Sequence, residues 1–322
     1  MVLKLQPFHK KGNICMEDNI ITVANYFNKK YFYMYANGLD FKYTPKIQSG
    51  DSVLRLIRTS CIYPTYDYLH DFVGLHIDIK PRSEFTKSEL INFIKKSIEE
   101  NIPVGIFLDA YCIPWYNKFY QKVHMPHSFL VVDVNDKEKY LSCIDGFLSE
   151  KSVNLPFENL FIYTSVMTFK PILPKKNTSF NNIISQIING LNDSGKLDNC
   201  DSIRLFSQDV QKIIFTEEEK TIYKDLDDSQ FMFGLKSIEY GRKNIADMLY
   251  YISTQFPAYS ENLISIQSKL NSISEQWKLV IVFFIKGFYS NQTSYYMNKA
   301  AELLLNIANN EENVAQSLLS LI

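Results

Sequence analysis

The sequence carries almost no excess charge and few cysteines, and both features argue against whole classes of protein. Lys and Arg number 34 against 35 Asp and Glu, a formal net charge of −1, so there is no electrostatic reason to expect a nucleic-acid partner. The five cysteines are an odd number with no C-x-x-C pair, which argues against a disulfide framework or a structural zinc site. We expect no metal ion.

Long apolar runs are also missing. Residues 1–11 carry three lysines and a histidine and lack the apolar stretch of a secretory signal. The most apolar segment, Leu279 to Tyr289, is interrupted by Lys286 and is too short to span a bilayer. These absences favour a soluble cytoplasmic protein with no membrane partner.

The 322 residues are 46% hydrophobic and 14% aromatic, enough for a sizeable core. Helix and strand patterns alternate as far as residue 174, where a polar, breaking stretch (Pro174 to Asn177) predicts a domain boundary. We expect an α+β domain over residues 1–174 and an all-α domain over residues 175–322. Apolar residues at helical spacing mark five of the C-terminal helices: Ile245 to Phe256, Leu263 to Ile273, Trp277 to Tyr289, Ser294 to Ala308 and Asn310 to Leu321.

Cys15 lies where the pattern of a first helix begins. Asn13 is a good candidate N-cap, which would make Cys15 the second helical residue. The apolar residues that follow fall on one helical face, namely Met16, Ile20, Val23, Ala24 and Phe27. Free backbone amides and the positive end of the helix dipole favour a thiolate in a first turn. The alternative is a structural cysteine that packs as a small hydrophobe.

His127 precedes a predicted strand, Ser128 to Val134, and Asp145 ends the next one, Lys139 to Asp145. Pairing Asp133 with Lys139 across the hairpin joins opposite charges. The same register sets His127 directly opposite Asp145, so the hairpin predicts a base and its orienting carboxylate. His124 in the same loop is the competing base, and we prefer His127 because it adjoins a rigid strand.

A cluster of aromatic residues with one carboxylate follows the predicted strand Val104 to Leu108. It supplies Asp109, Tyr111 and Trp115, and we interpret these residues together with His124 as a substrate-binding wall with Asp109 as its polar anchor. The alternative is core packing in which Asp109 caps a turn.

Several stretches together resemble the butirosin biosynthesis protein H family, which comprises papain-like (C39-like) cysteine acyltransferases with a helical C-terminal domain. The resemblance rests on Cys15 at a helix start, on the runs YANGLDFKY (35–43), PVGIFLDAY (103–111) and IPWY (113–116), and on His127 and Asp145. Two departures concern the entrance to the site. Ile14 stands where the family often has histidine, and the family's glycine-rich segment is reduced to Gly38.

The resemblance implies a papain-like fold and a role for each matched residue. Cys15 would take an acyl group from the thioester of an acyl carrier protein, presented on phosphopantetheine. His127 would deprotonate the thiol and then the amine of a small natural product in a biosynthetic, antibiotic-type pathway, while Asp145 would orient the imidazole. The backbone N–H of Cys15 would help to stabilise the oxyanion. The resemblance implies no bound cofactor, and it leaves open whether the protein forms a homo-oligomer.

Two alternatives use the same residues or the same fold. A cysteine peptidase or thioesterase would pass the acyl group to water, since the choice of acceptor depends on pocket shape and on the exclusion of water. A non-catalytic binding protein would keep the fold without the chemistry.

Overall fold

A computed structural model of the chain describes residues 2–43, 57–58, 66–175, 179–191, 199–222, 226 and 229–322. It is an α+β protein with a six-stranded antiparallel sheet followed by C-terminal helices, as the sequence predicts. The chain divides into two compact units, one made of Met1–Tyr33 and Tyr66–Lys176, the other of Met34–Thr65 and Asn177–Ile322. The second unit thus takes a segment from within the predicted N-terminal domain.

The elements are named here in chain order. The helices are α1 (Cys15–Tyr26), α2 (Tyr66–Tyr68), α3 (Lys87–Glu99), α4 (Phe180–Leu191), α5 (Asn199–Val210), α6 (Glu217–Ile222), α7 (Gln230–Gln255), α8 (Ser260–Tyr289) and α9 (Thr293–Leu319). The strands are β1 (Lys42–Tyr43), β2 (Ile57–Arg58), β3 (Leu75–Pro81), β4 (Val104–Asp109), β5 (Pro126–Asn135), β6 (Tyr140–Ile144), β7 (Val153–Pro156) and β8 (Tyr163–Pro171). None of the helices in the described part of the chain is both long and apolar enough to cross a membrane.

Helix α1 buries the predicted apolar face: Met16, Ile20, Val23 and Ala24 are all within 1% of full burial. Its start differs from the prediction, because Ile14 occupies the N-cap position and Cys15 is the first helical residue. Asn13 was wrongly predicted as the cap. Its side chain instead donates a hydrogen bond to Asp18, while the Glu17 carboxylate accepts from the Ile14 amide at 2.9 Å.

The sheet has the strand order β3-β8-β4-β5-β6-β7, with every neighbouring pair antiparallel. Strand β5 is therefore an interior strand, and it runs between β4 and β6. Its consecutive residues from His127 to Val132 are buried, which fits a strand covered on both faces. This interior position holds the start of β5 rigidly.

The predicted register of the β5–β6 hairpin is wrong. Asp133 pairs with Ser142 and Val131 with Cys143, with a bulge between the two pairs. The turn determines this register, since the Asn135 side chain accepts from the Glu138 amide. The turn then closes through Lys139, whose φ is +59°. A residue in that left-handed conformation belongs to the turn rather than to a charged cross-strand pair.

The second unit is built around three long helices. Four of the five predicted C-terminal helices merge into two, because α8 continues through Ser274 and α9 continues through Asn309. Neither join contains Pro or Gly, so nothing in the backbone ends the helix there. Ser274 is buried and its hydroxyl donates to the Glu239 carbonyl of α7, which satisfies this polar side chain within the helical unit.

Residues 34–43 pack inside this helical unit. The fully buried Arg242 of α7 donates to the carbonyl oxygens of Gly38 and Leu39. It also forms a two-pronged ion pair with the buried Glu311 of α9, at 2.8 and 2.9 Å. Gly38 lies so close to helix α7 that an added Cβ would be 2.5 Å from the Gly241 carbonyl oxygen. Backbone approach and a buried charge pair together hold this segment.

Candidate functional site

The candidate site lies in the first unit, at the start of α1. Cys15 is half-buried there, so its sulfur is neither sealed in the core nor fully in water. The hydroxyl of Ser128 donates to Cys15 Sγ at 3.3 Å, and the imidazole of His127 lies near enough to the sulfur for its charge to lower the pKa of the thiol. Both partners lie at the beginning of β5, the rigid interior strand.

His127 in turn contacts Asp145. His127 Nε2 lies 2.8 Å from Asp145 Oδ2, and the two side chains are 3% and 1% exposed. The β5–β6 ladder begins only at Leu130 and Ile144, so the two residues lie beyond its last pair. The predicted contact is therefore present although the predicted register is wrong, because the long histidine side chain spans the gap.

Asp145 has a second partner in Trp115. The indole Nε1 donates to Asp145 Oδ2 at 2.8 Å, so the oxygen that receives His127 also receives the indole N–H. Sequence reasoning predicted Trp115 as part of a substrate-binding wall. Its indole N–H also holds the carboxylate in place.

These contacts set the protonation of the thiol and the imidazole. Burial by itself raises the pKa of Cys15, but the hydrogen bonds from His127 and Ser128 and the charge of His127 outweigh it, and the pKa lies below its ordinary value. Burial by itself lowers the pKa of His127, whereas the hydrogen bonds to Asp145 and Cys15 raise it to about 10. The site therefore favours a thiolate next to an imidazolium.

Other thiols of the first unit are shifted the opposite way. Burial raises the pKa of Cys143 well above its ordinary value and also raises the pKa of Cys112. The charges of Asp145 and Asp109, respectively, add to these shifts. Both are inert structural thiols by this criterion, and the position of Cys15 beside a histidine is what separates it from them.

Aromatic rings enclose the imidazole. Tyr116 meets His127 edge-on with ring centres 5.1 Å apart, and Phe147 lies 5.9 Å from it. The turn that carries Phe147 packs tightly on the N-terminal segment, since a Cβ on Gly146 would lie 2.2 Å from the Phe8 carbonyl oxygen. Only glycine fits there without displacing backbone.

The remaining predicted site residues form a second cluster. His124 Nδ1 lies 2.6 Å from Asp109 Oδ2, and the His124 side chain is 73% exposed. Tyr111 stacks on the His124 ring at 4.6 Å. The other Asp109 oxygen accepts from the amides of Tyr111 and Met125, so Asp109 does cap its turn. His124 thus pairs with Asp109, whereas His127 has the contact with Cys15.

Sequence reasoning missed Ser128 and Asn19. Asn19 is buried in α1 and its Nδ2 donates to Ser128 Oγ at 3.0 Å. The spacing of four residues between Cys15 and Asn19 puts both on one helical face, which is the signal that could have drawn attention to Asn19. A single serine after His127 carries no such signal. Within the described ranges, no cluster of His, Cys, Asp and Glu could hold a metal ion.

A comparison with protein-family models matches residues 18–145 to the family described as butirosin biosynthesis protein H, N-terminal. Over this segment the chain is similar to the butirosin biosynthesis protein H family. The match includes His127 and Trp115 and ends at Asp145, and it begins three residues after Cys15. It confirms the resemblance inferred from the sequence. A search of curated proteins found no match to the chain.

Proposed function

We propose that the protein is a cysteine-dependent acyltransferase of biosynthetic type, with Cys15 as nucleophile, His127 as acid and base, and Asp145 as the residue that orients the imidazole. The observation that carries the proposal is the place of His127 between Cys15 and Asp145, where the imidazole is hydrogen-bonded to Asp145 and lowers the pKa of the Cys15 thiol. The similarity of residues 18–145 to the butirosin biosynthesis protein H family supports a biosynthetic role.

Acylation of Cys15 is the first half of the proposed reaction. The Cys15 thiolate attacks the carbonyl carbon of a thioester, so a new C–S bond forms and the bond to the donor sulfur breaks. The departing thiolate takes the proton of the His127 imidazolium and leaves as a thiol. This leaves an acyl-Cys15 thioester and a neutral His127.

Transfer to an amine is the second half. The amine nitrogen attacks the acyl carbon, the C–N bond forms, and Cys15 leaves as thiolate. His127 accepts the proton that the nitrogen loses, which restores the resting ion pair. The charge that develops on the carbonyl oxygen is met by the backbone N–H of Cys15 at the first turn of α1, where amides are free and the helix dipole is positive.

The order Cys, His, Asp along the chain, with the cysteine opening a helix and the histidine opening a strand of an antiparallel sheet, supports a papain-like (C39-like) fold for the first unit. We propose a carrier-protein thioester on phosphopantetheine as the donor and an amine of a small natural product as the acceptor, in the cytoplasm and without a bound cofactor. Asp109, Tyr111, Trp115 and His124 remain the proposed substrate-binding residues.

The test is an acyl-transfer assay with a chemically defined donor. The protein is incubated with an acyl-pantetheine thioester and a panel of small amines, and amide and free acid are measured by mass spectrometry. We expect amide in the presence of an amine and none with Cys15→Ala. Free acid alone would indicate a hydrolase with the same site. The absence of any product with every donor would contradict the proposal that the protein is an enzyme.

A further inference from the structure

Two buried polar residues connect helix α1 to the sulfur through a hydrogen-bonded chain. Asn19 Nδ2 donates to Ser128 Oγ at 3.0 Å, and Ser128 Oγ donates to Cys15 Sγ at 3.3 Å. Ser128 is fully buried and Asn19 is 3% exposed. Because both side chains are buried, water competes little for these hydrogen bonds, and each bond is stronger than it would be at the surface.

The direction of this chain follows from the donors available. A hydroxyl has a single proton, and the amide nitrogen of Asn19 can only donate. Because the Ser128 oxygen accepts from Asn19, its own proton is free to point at Cys15. Two consecutive residues of β5, His127 and Ser128, thus act on the sulfur.

We propose that Ser128 is a further catalytic residue, which holds the Cys15 thiolate with its hydroxyl, and that Asn19 is a positioning residue that orients this hydroxyl. The inference rests on the proposed function, since it assigns two more residues to the same site. The two donors to the sulfur do different things. His127 gives up its proton during acylation, whereas Ser128 keeps its proton throughout.

This difference matters in the second half of the reaction. When the amine attacks the acyl-enzyme, Cys15 leaves as a thiolate while His127 is occupied with the proton of the amine. A thiol with a lower pKa leaves faster, and the Ser128 hydroxyl is the donor that remains for the sulfur at that moment. Ser128 therefore supports transfer from the acyl-enzyme as well as activation of the free thiol.

The experiment follows alkylation of Cys15 by iodoacetamide as a function of pH, read by mass spectrometry at the Cys15 peptide of the full chain. In Ser128→Ala the pH midpoint of alkylation should rise by about one unit, the effect of one hydrogen bond to a charged group. Ser128→Thr keeps the hydroxyl and should restore the midpoint. Ser207→Ala is the matched control, because Ser207 is a buried serine of the second unit that donates to the Ala301 carbonyl.

Substitutions of Asn19 test the direction of the chain. Asn19→Ala should raise the midpoint by less than Ser128→Ala does. The Ser128 hydroxyl stays present in this variant and loses only the hydrogen bond that orients it. Asn19→Asp should raise it more than Asn19→Ala, because a carboxylate accepts the Ser128 proton and adds negative charge near the sulfur. The double variant Ser128→Ala with Asn19→Ala should match Ser128→Ala alone, since Asn19 acts only through Ser128.

The outcomes separate this inference from the proposed function. If wild-type Cys15 alkylates only at the pH of an ordinary thiol, the proposed function itself fails. If wild-type Cys15 alkylates at low pH and the midpoint stays the same in a folded Ser128→Ala, the proposed function stands and the role of Ser128 is overturned. Additive shifts in the double variant would overturn the role of Asn19.

Discussion

Cys15 differs from Cys112 and Cys143 in its neighbours rather than in its residue type. All three are at least partly buried, and burial raises a thiol pKa in each case. Only next to Cys15 do hydrogen-bond donors and a positive charge reverse the effect. The family resemblance predicted Cys15, His127 and Asp145 as partners, although the N-cap and the hairpin register that also supported the prediction were wrong. The resemblance was not enough to find Ser128 or Asn19, since a serine and an asparagine are common residues without a diagnostic pattern.

The rate of acyl transfer should have two pH limits. The nucleophile must be a thiolate, so the rate rises as the pH passes the lowered pKa of Cys15. The leaving group needs the imidazolium proton, so the rate falls as the pH passes the His127 pKa of about 10. We expect a plateau between these limits in kcat/KM, measured with a pantetheine thioester. A rate that only begins to rise near the pKa of a free thiol would contradict the ion pair.

Removing the indole N–H from Asp145 should slow the reaction. Trp115→Phe keeps a ring of similar bulk but leaves Asp145 Oδ2 with His127 as its remaining observed donor. A less firmly held carboxylate orients the imidazole less well, and we expect kcat/KM to fall about tenfold. The measurement is the acyl-transfer rate, with circular dichroism as the control for folding. An unchanged rate in a folded variant would show that His127 alone positions Asp145.

At the scale of elements, the sequence was most informative where a pattern is local. The apolar face of α1 and the strand β4 could both be predicted. Turn geometry was harder to predict, because a left-handed Lys139 and a bulge in β5 decided the hairpin register. Helix length was also missed, since burial of Ser274 keeps α8 continuous.

A buried acid in the first turn of α1 should make stability depend on pH. Burial raises the pKa of Glu17 to about 7 from 4.5, with a further rise from Asp18 and opposing effects of the Ile14 amide and Lys10. The folded state therefore holds this proton more tightly than the unfolded chain. The free energy of unfolding should fall as the pH rises from about 4.5 to about 7. This group should contribute up to about 3 kcal/mol to that fall.

Glu17→Gln tests this dependence. The amide keeps an oxygen that can accept from the Ile14 N–H and carries no charge to desolvate. We expect the variant to gain stability relative to the wild type at pH 8 and to lose that advantage at pH 5, as measured by urea denaturation at both values. An equal difference at the two pH values would mean that Glu17 does not titrate in this range.

At the scale of the whole molecule, the chain leaves the first unit at Tyr33 and returns to it at Tyr66. Residues 34–43 of the intervening segment have partners among the C-terminal helices of the second unit. Phe41 packs against Phe206 and Trp277, and Tyr43 donates to Asp209. The predicted boundary at residue 174 left out this earlier segment of the second unit. An apolar run in the sequence does not say which helices will cover it.

A chain cut after residue 175 should therefore fail to fold cooperatively. It would retain the first unit's residues but expose the buried side chains of Leu39, Phe41 and Tyr43, which lose every helix that covers them in the second unit. Size-exclusion chromatography and urea denaturation of residues 1–175 should show aggregation or a non-cooperative transition, with the full chain as control. A stable monomer with the same Cys15 reactivity as the full chain would show that the first unit folds alone.

Intact mass spectrometry can show directly whether Cys15 carries the acyl group. The full chain is mixed with an acyl-pantetheine thioester without an amine, quenched in acid and weighed, and the modified peptide is mapped. We expect one acyl group per chain, located on Cys15, absent in Cys15→Ala and strongly reduced in His127→Ala. An adduct that persists in Cys15→Ala, or no adduct on the wild-type chain with any acyl donor, would contradict this role of Cys15.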